Sequence, residues 1–195
     1  MKTPSHFLVT AAIGRIPWLK VIPSAILLGS IAPDLPLYFL TFGSFLWMRN
    51  VVGWEPRQIF RTVFDQWFFE NPFWIVLHNL LHAPLILLSA LACIAIKNRS
   101  LSKLQTSWWF WFFLSCLFHS VIDIFTHYDD GPLIWFPFDW STRFSSPVSY
   151  WDSRHYGREF SQFELWLDLA LILFLSVLFW KQSRQKQTEV IEQNA

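Results

Sequence analysis

Charge is scarce in this chain. Asp, Glu, Lys and Arg together make 15% of its 195 residues, against roughly 25% in an ordinary soluble domain. The 15 Lys and Arg nearly cancel the 14 Asp and Glu, and the cations lie in small scattered groups. A basic stripe that could track a phosphate backbone is missing, which excludes nucleic acid as a partner. Cysteine is scarcer still. Cys93 and Cys116 both sit inside apolar runs and form no CxxC pair, so neither a disulfide framework nor a cysteine zinc site is expected. Near the start, Arg15, Pro17 and Lys20 interrupt the apolar residues, unlike a cleaved signal, and the chain is expected to stay whole. No internal repeat is evident, and the length suits one domain.

Apolar and aromatic surface is what the chain has in excess: 53% apolar residues, with 13 Trp and 21 Phe, and a mean hydropathy of +0.32. A water-soluble fold of this size cannot hide so many rings in one core, whereas lipid can cover them. The expected fold is therefore all-α, an integral membrane helical bundle with about four to five membrane-embedded helices and two aromatic-rich outer loops. Residues 1–185 form its single membrane domain, and 186–195 a polar, disordered tail.

The strongest span is Phe73 to Ile96, two dozen residues without a formal charge, enough to cross a hydrocarbon core. Trp108 to Phe125, with residues 104–107 ahead of it, and Phe163 to Trp180 are the next two. Val21 to Trp47 is broken by Pro33, Asp34 and Pro36. It reads as two shorter helices meeting near Asp34, preceded by a short helix from Pro4 to Gly14. Lys97, Arg99 and Lys103, and again Lys181, Arg184 and Lys186, mark the cytoplasmic side. Residues 48–72 and 127–162 then become the outer loops, and the chain a multi-pass protein of the inner cell membrane.

Ionisable groups inside such spans are costly unless paired, so each is a functional candidate by default. His78 and His82 stand four apart, as do His119, Asp123 and His127 in FHSVIDIFTH, and that spacing gathers side chains on one helix face. Under the assigned orientation these groups share one depth, near the outer leaflet. Asp34 and His6 can reach it, and the second outer loop adds His155 and Glu159. Imidazole with carboxylate is the ligand set of zinc, with manganese or iron as alternatives. The candidate metal ligands are thus His6, Asp34, His78, His82, His119, Asp123, His127, His155 and Glu159. Glu164 and Asp168, again four apart, are candidates for a supporting role. The competing reading is an interhelical hydrogen-bond network, with Asp34 capping a helix and His155 and Glu159 a solvated pair.

Three blocks in order, GSIAPDLP, HNLLH and FHSVIDIFTHYDDGPLIWFPF, resemble the bacterial membrane-bound metal-dependent hydrolases over roughly the first 140 residues. The middle block reads LHNLLHAP where that family carries an HRxxTHS-like block. The resemblance implies a metal site of His6, Asp34, His78 with His82, and His119 with Asp123. A weaker likeness is to the zinc-dependent phospholipase C fold, all-helical, in which Asp34, His119 with Asp123, and His155 with Glu159 look like the metal-binding elements. It implies a phosphate ester as substrate.

The function expected is a membrane-embedded metal-dependent hydrolase that cleaves a phosphoester or ester of a lipid-like, amphiphilic substrate drawn from the bilayer. Asp34 or Glu159 would accept the proton of a metal-activated water. The alternatives are metal-ion transport or handling, and a non-catalytic membrane protein whose metal or polar network only fixes its helices.

Overall fold

Prolines set most of the helix starts. The computed structural model describes residues 1–193, and Pro4, Pro23, Pro36, Pro56, Pro72 and Pro84 each stand in the first turn of a helix. There the missing N–H costs nothing and the fixed φ is already helical. The helices are α1 (Thr3–Ile13), α2 (Pro23–Ile31), α3 (Leu35–Trp47), α4 (Pro56–Arg61), α5 (Phe68–Glu70), α6 (Pro72–Asn79), α7 (Pro84–Asn98), α8 (Leu101–Gln105), α9 (Trp108–Thr126) and α10 (Gly157–Gln193). Met48–Val52 and Thr62–Trp67 are π-helical, and Ser153–His155 is a 3-10 turn. The described residues hold no strand, only an isolated bridge between Leu133 and Arg143.

Two helices, α9 and α10, are long and apolar enough to cross a membrane, and four spans result if each of two bent pairs counts as one. The short first helix and the α2–α3 break at Asp34 fall where the sequence places them. Four other expectations need correction. Phe73 to Ile96 is not one continuous helix: α6 and α7 are bent by 45° at Leu80–Ala83. Residues 48–72 are not a loop but a run of short α and π helices. The second aromatic segment is irregular only as far as Tyr156, after which α10 begins. That helix also carries on to Gln193, past the point where a polar tail is expected at 186; residues 194–195 lie outside the described residues.

The break before Pro84 is built rather than tolerated. Ala83 is extended at φ −68° and ψ 120°, the conformation favoured ahead of a proline. Asn79, fully buried, donates to the Ile75 carbonyl and accepts the Leu133 amide, both at 2.9 Å. Ser120 on α9 donates to the carbonyl of His82, a group freed by the missing helical turn. Replacing Asn79 by alanine leaves the Leu133 amide without its acceptor and should cost about 2–3 kcal/mol. Thermal unfolding in detergent checks it; an unchanged midpoint would mean that Asn79 does not hold the break.

Around this break, α9 inverts the usual amphipathic plan. Its buried stripe is Ser115, Cys116, His119, Ser120 and Asp123, while Trp109, Phe118 and Phe125 face outward. That polarity suits a helix whose surroundings are hydrocarbon and whose interior supplies the hydrogen bonds. Small residues bring α2 against it: a Cβ on Gly29 would strike the Phe112 carbonyl and stand 2.8 Å from Ser115 Cβ. Ser115 Oγ donates to Ile26 O at 2.6 Å, and Ala25, Ile26 and Trp111 close an apolar cluster between the two helices.

The long α10 leans on α1 through its few polar groups. Glu164, wholly buried, accepts the Lys2 amide at 2.6 Å and meets Lys2 Nζ at 3.1 Å. One turn on, Asp168 accepts Ser5 Oγ at 2.9 Å.

Candidate metal centre

Four side chains converge where the two breaks meet α9. Asp34 lies between α2 and α3, His82 in the turn between α6 and α7, and His119 and Asp123 one turn apart on α9. His82 Nε2 and His119 Nε2 are 3.2 Å apart. His82 Nε2 stands 3.5 Å from Asp34 Oδ1 and 3.4 Å from Asp123 Oδ2, and His119 Nε2 stands 3.4 Å and 3.0 Å from the same two oxygens. Ligands at about 2.0–2.2 Å around a tetrahedral ion are themselves roughly 3.3–3.6 Å apart, so these separations suit the edges of one first-row coordination sphere. His82, His119 and Asp123 are buried and Asp34 nearly so.

The hydrogen bonds behind the ligand atoms carry the same message. His119 Nδ1 donates to Ser30 O at 2.7 Å, and His82 Nδ1 to His78 O at 3.2 Å. With each Nδ1 bonded to a carbonyl, each imidazole turns its Nε2 towards the other ring and towards two carboxylates. Four donor atoms facing one point could hold a metal ion between them, and a backbone acceptor behind each imidazole is how metal-binding histidines are oriented. The donor set suits a divalent first-row ion such as zinc; it does not select among zinc, manganese and iron.

The remaining oxygens are also held. Asp34 Oδ2 accepts Thr3 Oγ1, which in turn lies 2.8 Å from the Tyr38 hydroxyl. Asp123 Oδ1 lies 2.8 Å from His6 Nε2, 2.9 Å from the Met1 amino nitrogen and 3.6 Å from His127 Nε2. His6 also stacks on His119 with ring centroids 3.7 Å apart. Thr3, Tyr38 and the Ser30 carbonyl carry no signature in the sequence: a hydroxyl or carbonyl is ordinary until its neighbour is known.

The nine residues expected as ligands therefore separate. Asp34, His82, His119 and Asp123 come together. His6 and His127 stand behind Asp123 rather than in the four-donor group. His78 packs beside His82, ring centroids 4.5 Å apart, but offers no atom to that group. His155 and Glu159 are not brought to it. His155 ends the 3-10 turn and stacks on Tyr128 at 3.6 Å, and Glu159 is exposed in the first turn of α10. Tyr156 between them is left-handed at φ 60°, so the HxxxE pair shares no helix face.

A cavity of about 770 Å³ adjoins the cluster, lined among others by Asp34, His82 and Asp123, by Tyr150 and Trp151 of the long segment before α10, and by phenylalanines of the 56–70 region. That long segment is anchored beside it. Asp130 accepts His127 Nδ1 at 3.0 Å and Trp151 Nε1 at 2.8 Å. Burial alone would raise the Asp130 carboxyl, but these two donors outweigh it and hold the group below its ordinary value. Arg143 bonds the Gly131 carbonyl and lies over the rings of Phe68 and Phe69 at 5.2 and 5.4 Å. Burial pulls its guanidinium down to about 10.

No curated protein and no solved structure matches the chain. The family model described as YdjM inner membrane protein matches residues 1–187, a stretch that includes all four converging side chains and both bent helix pairs. The apolar helices agree with that description, and the chain belongs to the YdjM inner membrane protein family.

Proposed function

We propose that the protein is a membrane-embedded, metal-dependent hydrolase of a phosphoester or ester carried by a lipid-like substrate. The observation that carries this reading is the set of four donor atoms in which each of two imidazole nitrogens, already oriented by carbonyls, stands 3.0–3.5 Å from the other three, beside a large cavity. Bound there, a divalent ion would lower the pKa of a coordinated water and polarise the oxygen of the bond under attack.

The chain's own residues divide the remaining work. His82, His119 and Asp123 are buried and braced, and they fix position. Asp34, the least buried of the four, lines the cavity and is the group placed to accept a proton from water entering there. Glu159, exposed and apart, has no such part. His6 and His127 hold the Asp123 carboxylate at its second oxygen. The site lies near the outer leaflet in the orientation set by the flanking cations, and the amphiphile enters from the bilayer.

Gathering the donors at one point, instead of stacking them at successive depths, favours chemistry over ion transport. Detergent-purified, zinc- or manganese-loaded protein is expected to hydrolyse a dodecyl phosphoester, to lose that activity on chelation, and to lose most of it in Asp34→Asn. Fully loaded protein that turns over no phosphoester or carboxylic ester would leave the metal as a structural clamp.

A further inference from the structure

Part of the wall of the cavity comes from residues 56–70, a segment whose rings the four-donor cluster does not use. Phe60, Phe64, Phe68 and Phe69 all line it, and the winding of the chain explains how. Residues Thr62–Trp67 form a π-helix, in which hydrogen bonds close over five residues rather than four. Side chains four or five apart then fall into line, and Phe60, Phe64 and Phe69 have that spacing. The rings of Phe60 and Phe64 are parallel to within 10° at 6.1 Å, and those of Phe68 and Phe69 meet edge-on at 4.9 Å. Phe60, Phe64 and Phe69 remain 38–46% exposed although they face a concave space. Their outer support is independent of any ligand: Phe45 packs on Phe60 at 5.6 Å, and Arg143 lies over Phe68 and Phe69. A braced, open row of rings that shares one cavity with acidic and imidazole donors is a two-part site, apolar along one side and polar at one end.

We infer that Phe60, Phe64, Phe68 and Phe69 form the subsite for one hydrocarbon chain of a lipid phosphate whose head reaches Asp34, His82 and Asp123. The inference rests on the hydrolase reading and gives its substrate a class: an amphiphile with a flexible chain, as opposed to a water-soluble phosphoester. About 770 Å³ is in the upper part of the range for small-molecule sites and exceeds what a phosphate head alone would fill. A hydrocarbon chain is the occupant because four phenylalanine rings outnumber Arg61 and Asp65, the polar groups that the same segment adds to the wall.

The test is photolabelling of purified, metal-loaded protein in detergent with a dodecyl phosphate that bears a diazirine near its chain end. Label is expected on the peptide covering residues 56–70, displaced by unlabelled dodecyl phosphate but not by inorganic phosphate. Removing one ring in Phe64→Ser or Phe69→Ser should weaken labelling about tenfold, the loss expected for one apolar contact of this size, with metal content unchanged. In turnover, the same variants should raise KM for dodecyl substrates and leave short-chain substrates and kcat alone. Label spread over the exposed face of α10 and insensitive to competitor would overturn the inference, as would undiminished labelling in both folded variants. Competed label at 56–70 without hydrolysis of any ester would uphold the chain subsite and remove the hydrolase reading alone.

Discussion

Replacing His119 by alanine is expected to empty the centre. The change deletes one of four donors and, with it, the imidazole that bonds Ser30 O at 2.7 Å and stacks on His6. What remains is His82 between two carboxylates. Losing a partner that merely orients a ligand costs metal sites about 10–100-fold in affinity, so losing the ligand itself should cost more than that. Elemental mass spectrometry of wild type beside His119→Ala measures it directly. Near-stoichiometric metal in the wild type and almost none in the variant is the expected result. The fold should suffer as well, because Asp34 and Asp123 are left as buried carboxylates with less positive charge to meet them. Equal metal content in the two proteins would rule out the four-donor centre.

Gly29→Ala is expected to be nearly as damaging, although it adds only a methyl group and removes no candidate ligand. The new Cβ would collide with the Phe112 carbonyl and press on Ser115 Cβ at 2.8 Å. Backbone on α9 cannot yield as a flexible side chain does, so α2 must move away. Overpacking of this kind costs about 3 kcal/mol. The next residue is Ser30, whose carbonyl orients His119, and the same displacement should loosen metal binding. Gly43→Ala in α3 is the control, since nothing lies within 4 Å of the added carbon; it should be neutral or slightly stabilising. Comparable unfolding midpoints for the two variants would show that the α2–α9 contact is looser than its geometry.

Much of the architecture is legible from the sequence because proline and charge are so sparsely placed. Pro4 marks a helix start, Pro33–Asp34–Leu35–Pro36 marks a break, and the apolar runs at 108–125 and 163–180 mark the two long helices. The α6–α7 bend escapes a count of apolar residues, since hydropathy is unchanged across it; only Pro84 hints at it, and Asn79 reveals its purpose once Leu133 is seen to pair with it. Residues 48–72 read as a loop for a related reason: π-turns do not follow the spacing of three and four by which apolar helices are recognised.

The site was legible in kind and not in membership. Asp34, His82, His119 and Asp123 stand out as ionisable groups among apolar neighbours, but the same spacing of four joins His78 to His82 and Asp123 to His127. Which member of each pair reaches the centre depends on a turn and on carbonyls behind the rings, and neither is written in side-chain identity.

The clasp between α1 and α10 sets an order of assembly. Met1, Thr3 and His6 reach the centre from a helix whose start is held by Glu164 and Asp168, and those two carboxylates belong to α10, which leaves the ribosome after α1 to α9. Asp34, His82, His119 and Asp123 are already in the membrane by then. The centre can therefore gather its four donors early, yet it gains its bracing only when α10 inserts and its two carboxylates find Lys2 and Ser5. A chain cut before Gly157 would carry all four converging donors and still lack the two carboxylates that hold α1 against them.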